Sequence, residues 1–595
     1  MPELHFKGKE FVFNHHLGVP YRPLQPDAAK SVGGTALDGN LIIQGDNLHA
    51  LKALMPLYAG KVDCIFIDPP YNTGNEKWSY NDNVNSPILR DWLTTNPVDK
   101  EDMLRHDKWL CLMYPRFKLL HSLLSEHGSF WMTLDDNEVH RARAVLDEIF
   151  GEQNFVATCI WQKKYSTKAD TQFLSESHDY IVIYAKDISQ LELNGLERTE
   201  EQDANYKNLD NDPRGDWASD NLLRTEARDY AIYEVIGPTG IKHLPPKGAS
   251  WRFNKDKMEA LISDNRVWFG EDGNNKPRLK RFRSEVRETV PAQTIWGFSE
   301  VGHSDSAKKA LAGIFSDHDE IFATPKPVPL IRRVVELATD RFGLVLDSFA
   351  GSGTTGHAVL EANKQDGGKR RFIMVECEEY ADTLTAERMR RVVQGYSFEG
   401  TTKEELLSTK ISFTSLKKAD KLLEQVQGIE NLEGHRFDKI TKKIENDTLT
   451  VVGEKKVTEK VEGLGGSFTF CTLGEPLDLD KLLTGEALPD YLSLGSWLFH
   501  TATMAALEPA KINEAEWYLG ESSQYHVWLV YRPELEFLKS RDAALTLNLA
   551  QKIAAAKTGK KHLVFAAAKF VPNKDLLPIG VEFSPLPFAL YRVEK

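Results

Sequence analysis

Short apolar runs alternate with helically spaced apolar residues along much of the chain. Residues 41–44 (LIIQ) are a four-residue apolar run closed by Gly45-Asp46. From Asn47 to Tyr58, residues Leu48, Leu51, Leu54 and Met55 fall on one helical face, with Asn47 as the expected N-cap and Gly60 as the stop. Residues 61–67 (KVDCIFI) read as a buried strand that ends at Asp68. The spacing then predicts a long amphipathic helix from about Asp102 to Glu126, stopped by Gly128. A strand follows at 129–134 (SFWMTL), then a helix capped by Asp136 that carries Val139, Val145, Leu146 and Ile149, and a strand at 179–185 (DYIVIYA). This strand–helix–strand rhythm builds an open, mostly parallel α/β sheet. Ligands of such sheets collect outside the carboxyl ends of the strands.

Between about 190 and 320 the rhythm stops, and polar text with Gly and Pro replaces it. It resumes with a helix from about Val328 to Thr339, a strand at 343–347 (GLVLD), a Gly-rich turn, a helix from about Thr354 to Asn363 and a strand at 371–376 (RFIMVE). Further on, Leu416, Ala419, Leu423, Val426 and Ile429 make one helical face. Residues 525–531 and 562–566 read as buried strands with an alanine-rich helix between them. A chain of 595 residues exceeds what one core can organise. The expected parts are an irregular N-terminal arm (1–39), one half of an α/β core (40–190), an inserted domain (191–322), the second half of the core (323–396) and a C-terminal α/β domain (397–595).

Composition narrows the class. Hydrophobic residues make up 41% and charged residues 27%, ordinary values for a soluble globular protein. No apolar run approaches the roughly 20 residues that span a bilayer. The opening MPELHFKGKEF lacks a continuous apolar stretch of the signal-peptide kind. The five cysteines (Cys64, Cys111, Cys159, Cys377, Cys471) form no CxxC pair, so neither a disulfide framework nor a metal site is expected, and a cytoplasmic setting is. The net charge of −13 weighs mildly against a nucleic-acid partner, but phosphates respond to the local field rather than to the total.

Two motifs carry chemistry. The later one is Asp347-Ser348-Phe349-Ala350-Gly351-Ser352-Gly353-Thr354-Thr355, between a predicted strand and a predicted helix. Its glycines leave no Cβ in the way of a close ligand. The helix that follows points its N-terminus at the same ligand, which suits a carboxylate such as the amino-acid tail of S-adenosylmethionine (AdoMet). Glu376, at the end of the next strand, is placed to accept the hydroxyls of a ribose. No GxxxxGK[ST] phosphate loop occurs, so no ATPase motor is expected in this chain.

The earlier motif is Asp68-Pro69-Pro70-Tyr71. At average residue usage it arises by chance in about one of several hundred chains of this length, whereas FxGxG arises in roughly one in ten, so the first carries more of the inference. The exocyclic amine of a nucleobase is a poor nucleophile, because its lone pair is delocalised into the ring. Asp68 accepting one N–H, and the Pro69 carbonyl accepting the other, favour pyramidal nitrogen. The prolines pre-set φ, which turns that carbonyl into the pocket. Tyr71 offers a ring for stacking. A base inside a duplex must be flipped out to reach such a hole. No metal is required. Both motifs end strands, which predicts that Asp68 and Phe349 lie on neighbouring strands and face one cleft.

This order of motifs resembles the beta group of DNA amino-methyltransferases. The wider text resembles the modification subunit of type III restriction–modification systems: IIQGDNLHALKAL, KVDCIFIDPPYNTGN, SFWMTLDDNE, WRFNKDKMEALISDNRVWFGEDGNNKPRLKRF and TPKPVPLIRRVVELATD before VLDSFAGSGTTGHAVLEAN. The likeness is strongest over residues 40–395 and weaker in GGSFTFCTLGEPL and GVEFSPLPFALYRVE. It implies a Rossmann-like AdoMet-dependent methyltransferase sheet with a target-recognition insert and an extra C-terminal α/β domain. It implies Asp68, Pro69, Pro70 and Tyr71 as catalytic residues. It implies Asp46, Lys326, Pro327, Asp347, Phe349, Gly351, Gly353 and Glu376 as the cofactor site. The implied activity is transfer of a methyl group from AdoMet to N6 of adenine in double-stranded DNA, by a homodimer that a separate helicase–nuclease restriction subunit can join.

Within the insert, Lys276, Arg278, Lys280, Arg281, Arg283 and Arg287 face one acid, Glu285. A charge run ordinarily marks a solvated face. Here Trp251, Phe253, Trp268, Phe269 and Phe282 are interleaved nearby, and contact with DNA phosphates is expected of Lys276, Arg278, Lys280, Arg281 and Arg283. Three other functions fit parts of the same text: cytosine-N4 methylation, methylation of RNA or a protein amide, and a catalytically dead scaffold. An intact Asp68 and intact glycines weigh against the last.

Overall fold

The computed structural model describes residues 3–73, 104–167, 171–318, 322–411, 419–445, 448–477 and 487–586. The expected helix start at Asp102, Leu416 of the C-terminal helical face and the end of GVEFSPLPFALYRVE lie outside these residues. The chain divides into two units, Met1–Leu193 with Gln293–Lys595, and Asn194–Ala292.

Ten strands of the first unit join in one sheet. They are β1 (Leu24–Val32), β2 (Leu41–Gln44), β3 (Val62–Ile67), β4 (Leu124–Leu134), β5 (Phe155–Gln162), β6 (His178–Ala185), β7 (Ile295–Trp296), β8 (Leu344–Asp347), β9 (Arg371–Glu376) and β10 (Phe468–Leu473). Their order across the sheet is β1-β10-β2-β9-β8-β3-β4-β6-β5-β7. The stretch from β10 to β4 is parallel throughout. β6 runs antiparallel between β4 and β5. The decisive feature is that β8 and β9, late in sequence, slot between β2 and β3. Val345 pairs with Cys64 and Leu346 with Ile65, so the two motif strands are direct neighbours, as expected.

Helices α1 (Asn47–Tyr58), α2 (Arg105–Leu123) and α3 (Val139–Phe150) connect the early strands. Leu48, Leu51 and Leu54 of α1, Trp109, Phe117 and Leu120 of α2, and Ile65 and Ile67 of β3 share one buried core. Each such side chain contributes about 1.5–3 kcal/mol when fully buried. Among the later helices are α4 (Ser304–Ile314), α5 (Val328–Ala338), α6 (Thr354–Asp366) and α7 (Glu387–Gln394). Among the described residues, no helix is long and apolar enough to cross a membrane.

Several expectations need correction. The N-terminal stretch is not wholly irregular: β1 lies within it and pairs antiparallel with β10. Its Pro and its mixed polar residues hid it, because an edge strand needs no clean alternation. Asp46, not Asn47, caps α1; its carboxylate accepts from the N–H groups of Leu48 (2.9 Å) and His49 (3.1 Å). Gly128 does not separate α2 from the next strand but lies inside β4. A Cβ there would stand 2.7 Å from the Val62 carbonyl, so glycine permits the close approach of β3. Asp136 does not cap α3, whose N-cap is Glu138; Asp135 instead accepts from the Asn137 N–H at 2.9 Å. The inserted unit ends near 292 rather than 322, because β7 pairs with β5 of the large sheet.

The segment after 397 is not wholly separate either. It supplies β10, and its helix Tyr491–Thr503 buries Tyr491, Leu494 and Phe499 in the core shared with α1 and α2. An extra α/β sheet is present as expected, with strands Tyr518–Glu521, Tyr525–Val530, Lys561–Ala566 and Val581–Pro585.

The second unit is built on short strands. Arg278–Phe282 lies between Val267–Trp268 and Trp217–Asn221. Leu222, Val235, Trp251, Met258, Val267 and Phe269 form its core.

Candidate active site

β3 delivers Asp68 to the carboxyl edge of the sheet, and β4 delivers Thr133 beside it. The Thr133 hydroxyl donates to Asp68 Oδ1 at 2.5 Å. The Lys326 ammonium pairs with Asp68 Oδ2. That ammonium also stands 5.1 Å from the centre of the Tyr71 ring. Tyr71 is half-buried, and its hydroxyl donates to Asp179 Oδ2 at 3.3 Å. Asp179 is itself buried and paired with Lys163 at 2.5 Å. The Trp109 indole N–H donates to the Pro70 carbonyl at 2.7 Å. The turn is therefore braced from three directions.

Asn72 closes it. Its φ is 60° and its side chain is wholly buried. Asn tolerates this left-handed conformation better than other non-glycine residues. Its carboxamide donates to Glu138 and to the Arg105 carbonyl, the latter at 3.2 Å. Burial pushes the Glu138 carboxyl up to about 8. Sequence reasoning missed Thr133, Asp179, Trp109 and Asn72 as supports. Only Asn72 left a signal, as an Asn directly after a rigid Pro-Pro turn.

β8 leads into the Gly-rich turn. Gly351 (φ 51°) and Gly353 (φ 78°) are left-handed, where any other side chain is strained. A Cβ on Gly353 would also stand 3.1 Å from the Thr385 carbonyl. Glu376, at the end of β9, accepts from the Gly351 N–H at 2.7 Å and from the Glu378 N–H at 3.1 Å. Burial raises its pKa. Arg388, fully buried on α7, braces the turn from behind. It donates to the Ser352 carbonyl (3.2 Å), the Ser352 hydroxyl (3.0 Å) and the Thr354 hydroxyl (2.9 Å). Asp347 accepts from the Phe349 N–H (2.9 Å) and the Thr355 hydroxyl (2.5 Å), and burial pushes its carboxyl up to about 7. Its carboxylate is a pillar of the turn.

The residues expected at the cofactor site thus gather around the ends of β2, β8 and β9. Asn47 donates to the Ser348 carbonyl at 3.4 Å, which ties the first of these to the second. The Asp46 carboxylate is used as the cap of α1 and by Arg116 at 3.4 Å. Pro327 is the N-cap of α5, and the Thr354 hydroxyl donates to the Lys326 carbonyl at 3.3 Å. The set fits a nucleoside with a carboxylate tail on three counts. The Ser348 hydroxyl oxygen is buried without a hydrogen-bond partner. The N-terminus of α6 has no side-chain cap, which leaves its first N–H groups for an anion. Glu376, buried at the end of β9, sets a carboxylate beside the Gly-rich turn, the acceptor a ribose hydroxyl needs.

The basic residues of the second unit do not form one face. Lys276, Arg278, Arg281 and Arg287 are exposed. Lys280 is not: its side chain is fully buried and paired with Asp210 and, at 3.1 Å, Asp212. Side chains alternate along a strand, and Lys280 shares the inward face with Phe282. Arg283 is half-buried and paired with Asp203 at 3.0 Å. Of the interleaved aromatics, Trp251, Phe269 and Phe282 are core residues.

Residues 62–387 match the N6/N4 methylase family, described as DNA methylase. The chain is 34% identical over 346 residues to the StyLTI Mod subunit of a type III restriction–modification enzyme from Salmonella typhimurium, over 56% of this chain and 52% of that one. It therefore spans about half the length of that relative. It is 30% identical over 457 residues to the EcoPI Mod subunit of Escherichia phage P1, over 67% of this chain and 68% of that one. A solved putative DNA modification methylase from Thermus thermophilus, complexed with S-adenosyl-L-methionine, aligns at a TM-score of 0.28 and 15% identity, over 59% of this chain and 95% of that one. The family match takes in both the Asp-Pro-Pro-Tyr turn and the Gly-rich turn, and the chain belongs to the DNA methylase family.

Proposed function

We propose that this chain is the modification subunit of a type III restriction–modification system, and that it transfers a methyl group from AdoMet to N6 of an adenine flipped out of duplex DNA. The observation that carries this is the parallel pairing of β3 with β8, which sets Asp68 beside the Gly-rich turn at one sheet edge. The two Mod relatives are described as subunits of type III enzymes, which supports the choice of system.

AdoMet supplies an activated methyl group on sulfur. Glu376 holds its ribose, and the N-terminus of α6 holds its carboxylate. Asp68 accepts one N–H of the target amine. The Trp109 indole N–H holds the Pro70 carbonyl, and the Pro69 carbonyl accepts the other. Thr133 fixes the rotation of Asp68, and Asp179 fixes Tyr71 beneath the base. The catalytic contribution of the protein is positioning and exclusion of water. Lys276, Arg278 and Arg281 contact phosphates. The working assembly is a homodimer, and a separate restriction subunit supplies cleavage.

The test is to incubate the full chain with AdoMet and unmodified genomic DNA and to identify the modified nucleoside. N6-methyladenine is expected, and Asp68→Ala is expected to abolish it. N4-methylcytosine would overturn the choice of base. Preference for RNA over duplex DNA would overturn the substrate. Mapping the methylated positions gives the recognition sequence.

A further inference from the structure

We infer that Lys326 is a gate on the seat of the target amine: its ammonium holds Asp68 and covers Tyr71 until the incoming base displaces it. This rests on the amino-methylation reading above and adds a step to it.

The argument starts from the two oxygens of Asp68. Thr133 takes Oδ1. Oδ2 is the acceptor that remains for a donor entering from the cleft, and the Lys326 ammonium is on it. The same ammonium stands over the face of Tyr71, 5.1 Å from its centre. A flat base with an exocyclic amine needs these same two surfaces, a carboxylate oxygen for an N–H and a ring face for stacking. Lys326 therefore imitates the substrate at both contacts, and the two cannot hold Oδ2 in the same way at once.

Displacement is confined to the side chain. The Lys326 carbonyl accepts from the Thr354 hydroxyl at 3.3 Å, and Pro327 begins α5 directly after it, so the main chain is anchored. The four-carbon stem leaves the ammonium free to swing. Only 12% of the Lys326 side chain and 24% of the Asp68 side chain is exposed, so the pair is shielded well enough to resist water and shallow enough to open. The anchor ties Lys326 to the first residue of α6, at the end of the Gly-rich turn. A sulfonium bound near that turn would add a second positive charge to the cleft, and like-charge repulsion would then favour release of the ammonium.

The consequence is a discrimination built from competition. In the wild type, adenine gains an amine–carboxylate bond but breaks the Lys326 pair, whereas purine, with no amine to offer Oδ2, moves the ammonium off the ring face and leaves it on the carboxylate. With Lys326 removed, adenine gains without the loss, and purine leaves a desolvated carboxylate unpaired. The test uses the full chain and two duplexes that carry the mapped methylation site, one with adenine and one with unsubstituted purine at the target. The ratio of their dissociation constants, purine over adenine, is measured with and without AdoMet. Lys326→Met is expected to raise this ratio about tenfold or more, the scale of one charge-assisted hydrogen bond. Lys326→Arg is expected to keep the wild-type ratio. Lys326→Gln, neutral but polar, repeats the test should the Met variant fold poorly. An unchanged or lower ratio in both neutral variants, with methylation by the wild type intact, overturns the gate alone. A wild-type chain that transfers no methyl group to DNA overturns the gate together with the reading beneath it.

Discussion

The Thr133 hydroxyl points at Asp68 and donates a 2.5 Å hydrogen bond to its Oδ1. β3 and β4 are parallel neighbours, with Ile67 opposite Met132, so the contact follows from the register of the sheet. It sets the rotation of the carboxylate proposed to receive the target amine. Thr133→Val keeps the shape and loses the donor. Turnover is expected to fall by about ten- to a hundredfold, the range that a misplacement near the chemistry costs. AdoMet affinity is expected to stay the same, because Thr133 is not part of the Gly-rich turn. Single-turnover methylation together with calorimetric AdoMet binding checks this. A loss of cofactor affinity in step with the rate would show that Thr133 supports the fold instead.

Glu376 is proposed to link the cofactor to the turn. It accepts from the Gly351 N–H at 2.7 Å while facing the site where a ribose is expected. Glu376→Gln preserves one neutral acceptor and removes the charge. A hydrogen bond to a charged group contributes about 1.5–3 kcal/mol, so the dissociation constant for AdoMet is expected to rise at least tenfold. Glu376→Ala is expected to weaken binding further, because the Gly351 N–H loses its acceptor as well. Equal AdoMet affinity in the wild type and both variants would remove Glu376 from the cofactor site.

How far the chain could be read beforehand differs by kind of signal. The neighbouring placement of Asp68 and Phe349 was legible, because apolar runs such as KVDCIFI and GLVLD mark buried parallel strands and both motifs end them. The supports were not. Thr133 and Asp179 meet the motif only through strand order, which local patterning does not encode. β1 was hidden by its Pro and mixed polar residues, and its partner β10 lies far along the chain. Lys280 was misassigned because a run of like charges averages over a strand, whereas the strand itself sends alternate side chains to opposite faces. Its burial depends on Asp210 and Asp212, which arrive from another segment.

That difference between neighbours can be measured in the second unit. Lys280 is inside and ion-paired, whereas Arg281 is outside and only 4.0 Å from Asp220 at its nearest. Lys280→Ala takes the cation from the half-buried Asp210 while Asp212 keeps Arg214 at 2.9 Å, and is expected to destabilise the unit by about 1–3 kcal/mol. Arg281→Ala is expected to leave the melting temperature unchanged. It should instead weaken DNA binding at every sequence and reduce the slope of log affinity against log salt by about one. Melting curves and salt titrations of both variants separate the roles. A melting temperature for Lys280→Ala equal to that of the wild type would contradict the buried pair.

Asp347 makes a prediction about pH. It is buried under the Gly-rich turn, and burial pushes its carboxyl up to about 7. In the unfolded chain an Asp titrates at about 3.9. Between those values the folded protein keeps a proton that the unfolded chain has released. The folded state therefore binds more protons there, and stability must fall as pH rises through the window and level off above it. Asp347→Asn cannot titrate, so this slope is absent from the variant. Glu138, pushed up to about 8, acts in the same direction but is present in both proteins and cancels in the comparison. The melting temperature of the wild type minus that of Asp347→Asn is expected to decline steadily from pH 5 to pH 7 and to flatten by pH 8. Asn can still accept from the Phe349 N–H through its carbonyl, so the variant is expected to fold. Melting curves that run parallel for the two proteins across this range would mean that Asp347 is already ionised in the folded state, with the Thr355 hydroxyl and the Phe349 N–H solvating its charge.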